Sequence, residues 1–388
     1  MCCRPHQGGQ LPPFLLAVAQ ALHSRPLLLS PIPPLSSAFT AAVIQPTDLL
    51  VLQRDGSTCR ATAADLLALL NGSQASRTAG RLWDLVSTPA DNDWRTVCWA
   101  PELNLLVAVS IDGSQRVMTS DDGLRWISRL TPSDNNTWIA ICWSPQRQLF
   151  VAVASSGTSS RVMTSSDGLS WTARRVPVNN SWVAVCWSPQ RQLFVAVAFG
   201  GNANRVMTSA DGISWTARPA AASHIWRSAC WAAELGLFVA VATSSNGTNQ
   251  AVMTSPDGTS WTLRNTPADN TWRSICWAAE LGLLVAVGQS GSNGRVMTSS
   301  DGLTWTLRST PAELEWRAVC WAPELHLLIA VAGTGTGQQV MTSADGISWT
   351  LRPSAADRQW SGLCWAAELG QLVAVAQNGS GSRVMLSR

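Results

Sequence analysis

The chain has 388 residues, is 46% hydrophobic and 13% charged, and carries a formal charge of +3. It can bury a large core, and its charge is too small to gather a nucleic acid backbone. All 27 basic residues are arginine and tyrosine is absent, so P-loop lysines, Schiff bases and tyrosine nucleophiles are excluded.

Residues 1–40 are rich in Pro, Leu and Ser without periodicity, and are expected to be an extended arm or a disordered extension. Arg4 and the apolar run at 15–19 loosely copy a secretion signal, which Pro12, Pro13 and His23 interrupt. No run of about 18 apolar residues occurs, so no membrane span is expected. Residues 41–72 read as a strand, an Asp55-Gly56 turn, a second strand and a helix capped by Thr62, with Asp65 three residues on. Such a hairpin-helix unit is too small to hold a core alone, so it should attach to a partner or to its own copies. Residues 73–79 form a linker.

From residue 80 onward the chain repeats. The pattern W-x-x-x-C-W opens at Trp94, Trp138, Trp182, Trp226, Trp272, Trp316 and Trp360. Between copies lies V-M-T-S-x-D-G-x-x-W, ending at Trp126, Trp171, Trp215, Trp261, Trp305 and Trp349. Trp83 stands 11 residues before Trp94, as Trp305 does before Trp316, so all 21 tryptophans fall three to a repeat. The unit from Trp138 holds four strand-like runs, at 138–143, 149–154, 161–164 and 169–174, separated by turn residues. Four strands in 44 residues is the arithmetic of a propeller blade. The last repeat stops after its third strand, and residues 80–87 supply the fourth.

The expected fold is therefore all-β: a seven-bladed propeller of four-stranded blades over 80–388, its ring closed by the strand within 80–87. Trp138 and Trp143, five apart on one strand, are expected to face opposite neighbours. Each indole can contribute about 4–6 kcal/mol gross, and packing takes precedence over sugar stacking. Cys98, Cys142, Cys186, Cys230, Cys276, Cys320 and Cys364 recur with the repeat, and no C-x-x-C occurs. They read as small buried hydrophobes rather than disulfide partners or metal ligands.

The turn Ser165-Ser166-Asp167-Gly168-Leu169-Ser170-Trp171 and its five counterparts resemble the Asp-box, or BNR-like, repeat of sialidase-type propellers, shortened by one residue. The resemblance implies a structural role for Asp122, Asp167, Asp211, Asp257, Asp301 and Asp345, whose carboxylates accept backbone N–H groups while Gly takes positive φ. A seventh box is split between the termini and lacks its Asp. Thr47 to Leu67 resembles the hairpin-plus-helix segment of bacteriophage, especially cyanophage, tail-fibre and virion proteins.

Turns between first and second strands hardly vary, whereas loops between second and third strands and between blades do. That variable face carries the candidate binding residues Asn135, Asn136, Asn179, Asn180, Phe199, Asn202, His224, Asn246 and Asn293. Their amides suit sugar hydroxyls and are equally what turns are made of. His224 and His326 occupy different repeat positions and should lie on opposite faces, so no metal site, catalytic residue or cofactor is expected. Arg129, Arg174, Arg218, Arg264, Arg308 and Arg352 read as a solvated outer edge.

Together these features imply a phage structural protein without enzymatic activity, located in the virion tail at the fibre or baseplate periphery. Residues 41–72 would bind other virion proteins, and the propeller would meet a host surface polysaccharide or receptor. No nucleic acid partner is implied. The tail-fibre resemblance implies a homo-oligomer, specifically a trimer, although no heptads support one. The alternative is a cellular scaffold similar to the Asp-box propeller that assists photosystem II assembly, in the periplasm, thylakoid lumen or cytoplasm. A third reading, a sialidase-like glycoside hydrolase, would need a Tyr nucleophile and an arginine cluster.

Overall fold

β-Branched and aromatic residues alternate through each repeat and Gly, Ser and Asn break it, so the backbone pairs as short antiparallel strands. The computed structural model describes residues 49–54, 57–62 and 78–388, except 133–135, 158–159, 202–203, 244–248 and 292–293. Seven four-stranded sheets result. Blade 1 is Trp94–Ala100, Leu105–Ser110, Val117–Ser120 and Ile127–Arg129. Blade 7 is Trp360–Ala366, Gln371–Ala376 and Val384–Ser387, completed by Asp84–Val86. The closing strand pairs Asp84 with Leu386 and Val86 with Val384, so the ring closes as its repeat arithmetic requires. First strands of successive blades contact one another and line the central channel.

The N-terminal unit is distinct: Leu49–Arg54 pairs antiparallel with Ser57–Thr62, and the expected Asp55-Gly56 turn lies outside the described residues. The helix expected after Thr62, residues 1–40 and the 73–77 part of the linker lie outside the described residues. Among the described residues no helix is long and apolar enough to cross a membrane.

The core is seven interblade layers. In the layer between blades 1 and 2, Val107 and Val109 of the first meet Trp138, Trp143 and Phe150 of the second, with Trp171 packed alongside. The opening tryptophan of every blade is fully buried. The expectation that Trp138 and Trp143 face opposite neighbours is wrong: all three indoles of a blade face the preceding blade. The reason is a β-bulge. Trp138 pairs with Ala154 but Ala140 pairs with Val153, leaving Ile139 as an extra residue that reverses the parity of everything after it. All seven first strands carry this bulge.

Each second indole then donates to the side chain at one turn position of the preceding blade. Trp143 bonds Glu102 at 2.7 Å, Trp187 bonds Gln146 at 2.7 Å, Trp231 bonds Gln190 at 2.6 Å and Trp365 bonds Glu324 at 2.6 Å. Trp277 and Trp321 bond Glu234 and Glu280, and Trp99 closes the ring on Glu368. This explains why the first-to-second-strand turn hardly varies.

The six Asp turns share one geometry. Asp167 Oδ1 accepts from the Leu169 and Ser170 amides at 2.8 Å, Ser165 Oγ accepts from the Gly168 amide, and the Trp171 indole donates to the Gly168 carbonyl. Gly168 sits at φ 72°, and a Cβ there would lie 2.5 Å from Leu105 of the neighbouring blade. Desolvation opposes ionisation of these aspartates, but the backbone N–H bonds outweigh it and hold Asp122, Asp167 and Asp211 below the usual carboxylate range. The seventh turn assembles across the termini: the Gly80 amide donates to Ser387 Oγ at 2.8 Å, and Thr78 Oγ1 donates to the Arg388 carbonyl at 2.6 Å.

Candidate functional site

The bulge that turns the indoles also aims its extra residue into the channel. The seven bulge residues are Arg95, Ile139, Val183, Arg227, Arg273, Arg317 and Ser361. Together with Phe199, Ser155 and Gln377 from the ends of second strands, they surround a cavity of about 450 Å³ at the channel mouth. This mouth opens among the interblade and second-to-third-strand loops, the face that the sequence marks as variable.

Four guanidiniums converge there and their partners differ. Arg95 is paired with Asp93 at 2.7 Å, and Arg317 with Glu315 at 2.9 Å and with Gln377 at 3.0 Å. The Nε atoms of Arg95 and Arg317 are buried without a hydrogen-bond partner. Gly333 makes room for Arg317, since a Cβ there would fall 2.1 Å from Nε. Arg227 lies over the Phe199 ring at 4.5 Å and donates to Thr243 Oγ1 at 3.2 Å. Arg273 has no hydrogen-bond or ion-pair partner among the described residues. Burial, and then the charges of Arg227, Arg317 and Arg95, lower its pKa to about 10. Burial also lowers Arg227, and raises Asp93 despite the attraction of Arg95. Two carboxylates therefore balance two of four cations, and blades 4 and 5 hold the excess. Blades 2 and 3 present no charged group to the same space: Ile139, Val183 and Phe199 line it there, with the hydroxyls of Ser155 and Ser181.

The residues selected from sequence have mixed positions. Phe199 is 38% exposed on the mouth wall. Asn136 and Asn180 are buried, and the Asn180 amide donates to the Asn204 carbonyl at 2.6 Å, as Asn92 does to Gln115 and Asn270 to Gly294. These amides clamp the end of the loop before the third strand of their own blade. His224 takes the same repeat position, is 6% exposed, and has its pKa lowered by burial and then by Arg205. Asn179 stands beside the clamp on an interblade loop. Asn135, Asn202, Asn246 and Asn293 lie outside the described residues. His326 caps a first-to-second-strand turn, away from His224.

The repeated arginines of the outermost strands do more than solvate an edge: Arg129 and Arg174 donate through Nε to Thr119 and Thr164 of the third strand at 2.9 Å. The seven repeat cysteines are free thiols. Burial pushes Cys98, Cys186 and Cys276 up to about 12, so they stay protonated at neutral pH.

Sequence reasoning missed the arginines of the mouth. Their signal is one variable column inside an otherwise constant strand, the residue after the opening tryptophan. Without the bulge, that column carries no indication that it faces the channel.

No family model and no curated protein sequence matches the chain. Solved structures match its fold. Virginiamycin B lyase from Staphylococcus aureus superposes with a TM-score of 0.66 at 8% identity, over 79% of this chain and 99% of that one. The structure described as YCF48 bound to D1 peptide gives 0.58 at 14% identity, over 78% and 94%. The Cps50 (Swd1) β-propeller domain of Myceliophteria thermophila gives 0.59 at 12% identity, over 79% and 100%. At these identities the likeness establishes the propeller fold alone, yet it overturns the expectation of a chain without enzymatic activity, because the same fold serves a lyase.

Proposed function

We propose that this chain is a binding propeller whose working face is the variable one, with the arginine-lined mouth as its anion-recognition centre. The observation that carries this reading is the quartet Arg95, Arg227, Arg273 and Arg317, placed by bulges at one mouth and only half balanced by carboxylates. Holding four half-buried guanidiniums together is costly in the free protein, and a bound anion offsets that cost.

We place it in a phage particle, at the tail fibre or baseplate periphery. The support is the likeness of Thr47 to Leu67 to virion proteins, together with the hairpin Leu49–Arg54/Ser57–Thr62. In this setting residues 41–72 attach to other virion proteins, and the chain is a trimer. The partner at the mouth is a host surface polysaccharide or receptor. The Ser-x-Asp-Gly-x-x-Trp turns are shortened Asp-boxes of the BNR-like kind, a reading supported by their shared carboxylate geometry.

A second reading, a scaffold for a partner protein, is favoured by the size of the cavity, which admits a short peptide; the structure described as YCF48 is bound to a D1 peptide. Binding of the labelled full chain to intact bacterial strains separates the two. Strain-selective binding that the strain's own acidic polysaccharide competes away, and that Arg273→Gln abolishes, supports the host-surface reading. A folded chain that binds no strain, and is missing from purified virions by mass spectrometry, removes it in favour of the scaffold.

A further inference from the structure

The mouth is two-sided. Arg227 and Arg273 hold the uncompensated charge on adjacent blades, while Ile139, Val183 and Phe199 form an apolar wall on the blades before them. We propose that this mouth is built for a carboxylate carrying an apolar body, the carboxylate between Arg227 and Arg273 and the body against Ile139, Val183 and Phe199. The proposal rests on the reading of the mouth as an anion site and narrows it to one ligand class.

Three observations select this class. First, the two uncompensated cations, Arg227 and Arg273, lie to one side, and opposite them the wall carries no charge, only Ile139, Val183 and Phe199 with the hydroxyls of Ser155 and Ser181. A sulfate or phosphate directs acceptor oxygens all round and would leave some against Ile139 and Val183, whereas a carboxylate has its acceptors on one edge and carbon on the other. Second, Arg227 sits 4.5 Å over the Phe199 ring with its Nε on Thr243, which leaves its two terminal NH2 groups for a planar, two-oxygen acceptor. Third, a cavity of about 450 Å³ falls within the range that small organic ligands fill, well beyond the needs of an inorganic anion. The Arg227 stack also occupies one face of the only aromatic ring on the wall, among the described residues, which disfavours a sugar ring laid on it.

Titration calorimetry on the full chain tests this with octanoate, octanol, sulfate, glucuronate, and the peptide acetyl-Ala-Ala-Leu as free acid and as amide. Octanoate should bind at least tenfold more tightly than sulfate or glucuronate, and octanol and the peptide amide should not bind. Arg273→Gln should weaken octanoate at least tenfold. Phe199→Ser should weaken octanoate about fivefold and leave sulfate unchanged, with thermal melts showing that both variants fold. Tighter binding of the free-acid peptide than of octanoate identifies a peptide C terminus as the source, and the reverse order an acyl chain; either supports the class. Equal binding of sulfate, glucuronate and octanoate overturns the apolar half while the anion site stands. Octanoate binding unaffected by Arg273→Gln overturns this placement. No binding by any anion to the folded chain overturns the anion reading itself.

Discussion

The two faces of the propeller are made from the same repeat and obey different rules. On the face of the first-to-second and third-to-fourth-strand turns, each blade spends its residues on the next: an indole donates to Glu or Gln of the preceding blade, and a Ser-Asp-Gly turn holds the third indole in place. On the mouth face, the column after the opening tryptophan runs Arg, Ile, Val, Arg, Arg, Arg, Ser around the ring. Repetition marks the positions where blades hold each other, and variation marks the positions that solvent or a ligand meets. The bulge joins the two. One extra residue puts both first-strand indoles on one side of each blade and frees that same residue to face the channel.

The sharpest way to break this contrast is to exchange the expected costs. Trp316→Ala removes a fully buried indole from a layer it shares with Val285 and Val287, and should cost about 3–5 kcal/mol in urea unfolding. Arg273→Gln should go the other way. It removes a charge that is raised in energy by burial and by three like charges, and should stabilise the unliganded chain by about 1 kcal/mol while weakening anion binding at least tenfold. A fall in stability instead would mean that the arginine column is structural, and the distinction between the faces would fail.

Between these lies the indole ring of hydrogen bonds. Glu280→Ala leaves the Trp321 N–H without its acceptor and should cost about 1 kcal/mol. Glu280→Gln should be nearly neutral, because blades 2 and 3 already use Gln146 and Gln190 at this position. A cost as large for Gln as for Ala would show that the charge, rather than the acceptor, matters.

Blade count, strand order and ring closure were legible because Trp, Cys and Asp-Gly recur at fixed offsets, and because residues 80–87 supply what the last repeat lacks. The structural duty of the aspartates was legible from one turn seen six times. The direction of the indoles was not, since strict alternation predicts opposite faces for Trp138 and Trp143, and a bulge leaves no mark in a single repeat. The same error hid the mouth. Asn136 and Asn180 drew attention as amides on a variable face, yet both sit two residues before an opening tryptophan, and that constancy marks a buried clamp. Phe199 stood out for the opposite reason, as an aromatic outside the repeating frame.

His224 gives the smallest and most specific test, since it occupies the clamp position that Asn92, Asn136, Asn180 and Asn270 hold in other blades. Burial and the nearby Arg205 disfavour its charged form, so its folded pKa lies below the ordinary value of about 6.5. For a base shifted in this direction, the unfolded chain binds the proton more readily. The neutral buried imidazole then contributes fully above the unfolded pKa, and that contribution weakens as pH falls below it toward the folded pKa. His224→Asn should remove that dependence, flattening stability between pH 7 and pH 5 by on the order of 0.5 kcal/mol while leaving the value at pH 8 unchanged. Urea midpoints at three pH values would show it. A variant that keeps the wild-type slope would assign the pH dependence elsewhere, and one that loses stability at pH 8 would mean that the imidazole makes contacts an amide cannot replace.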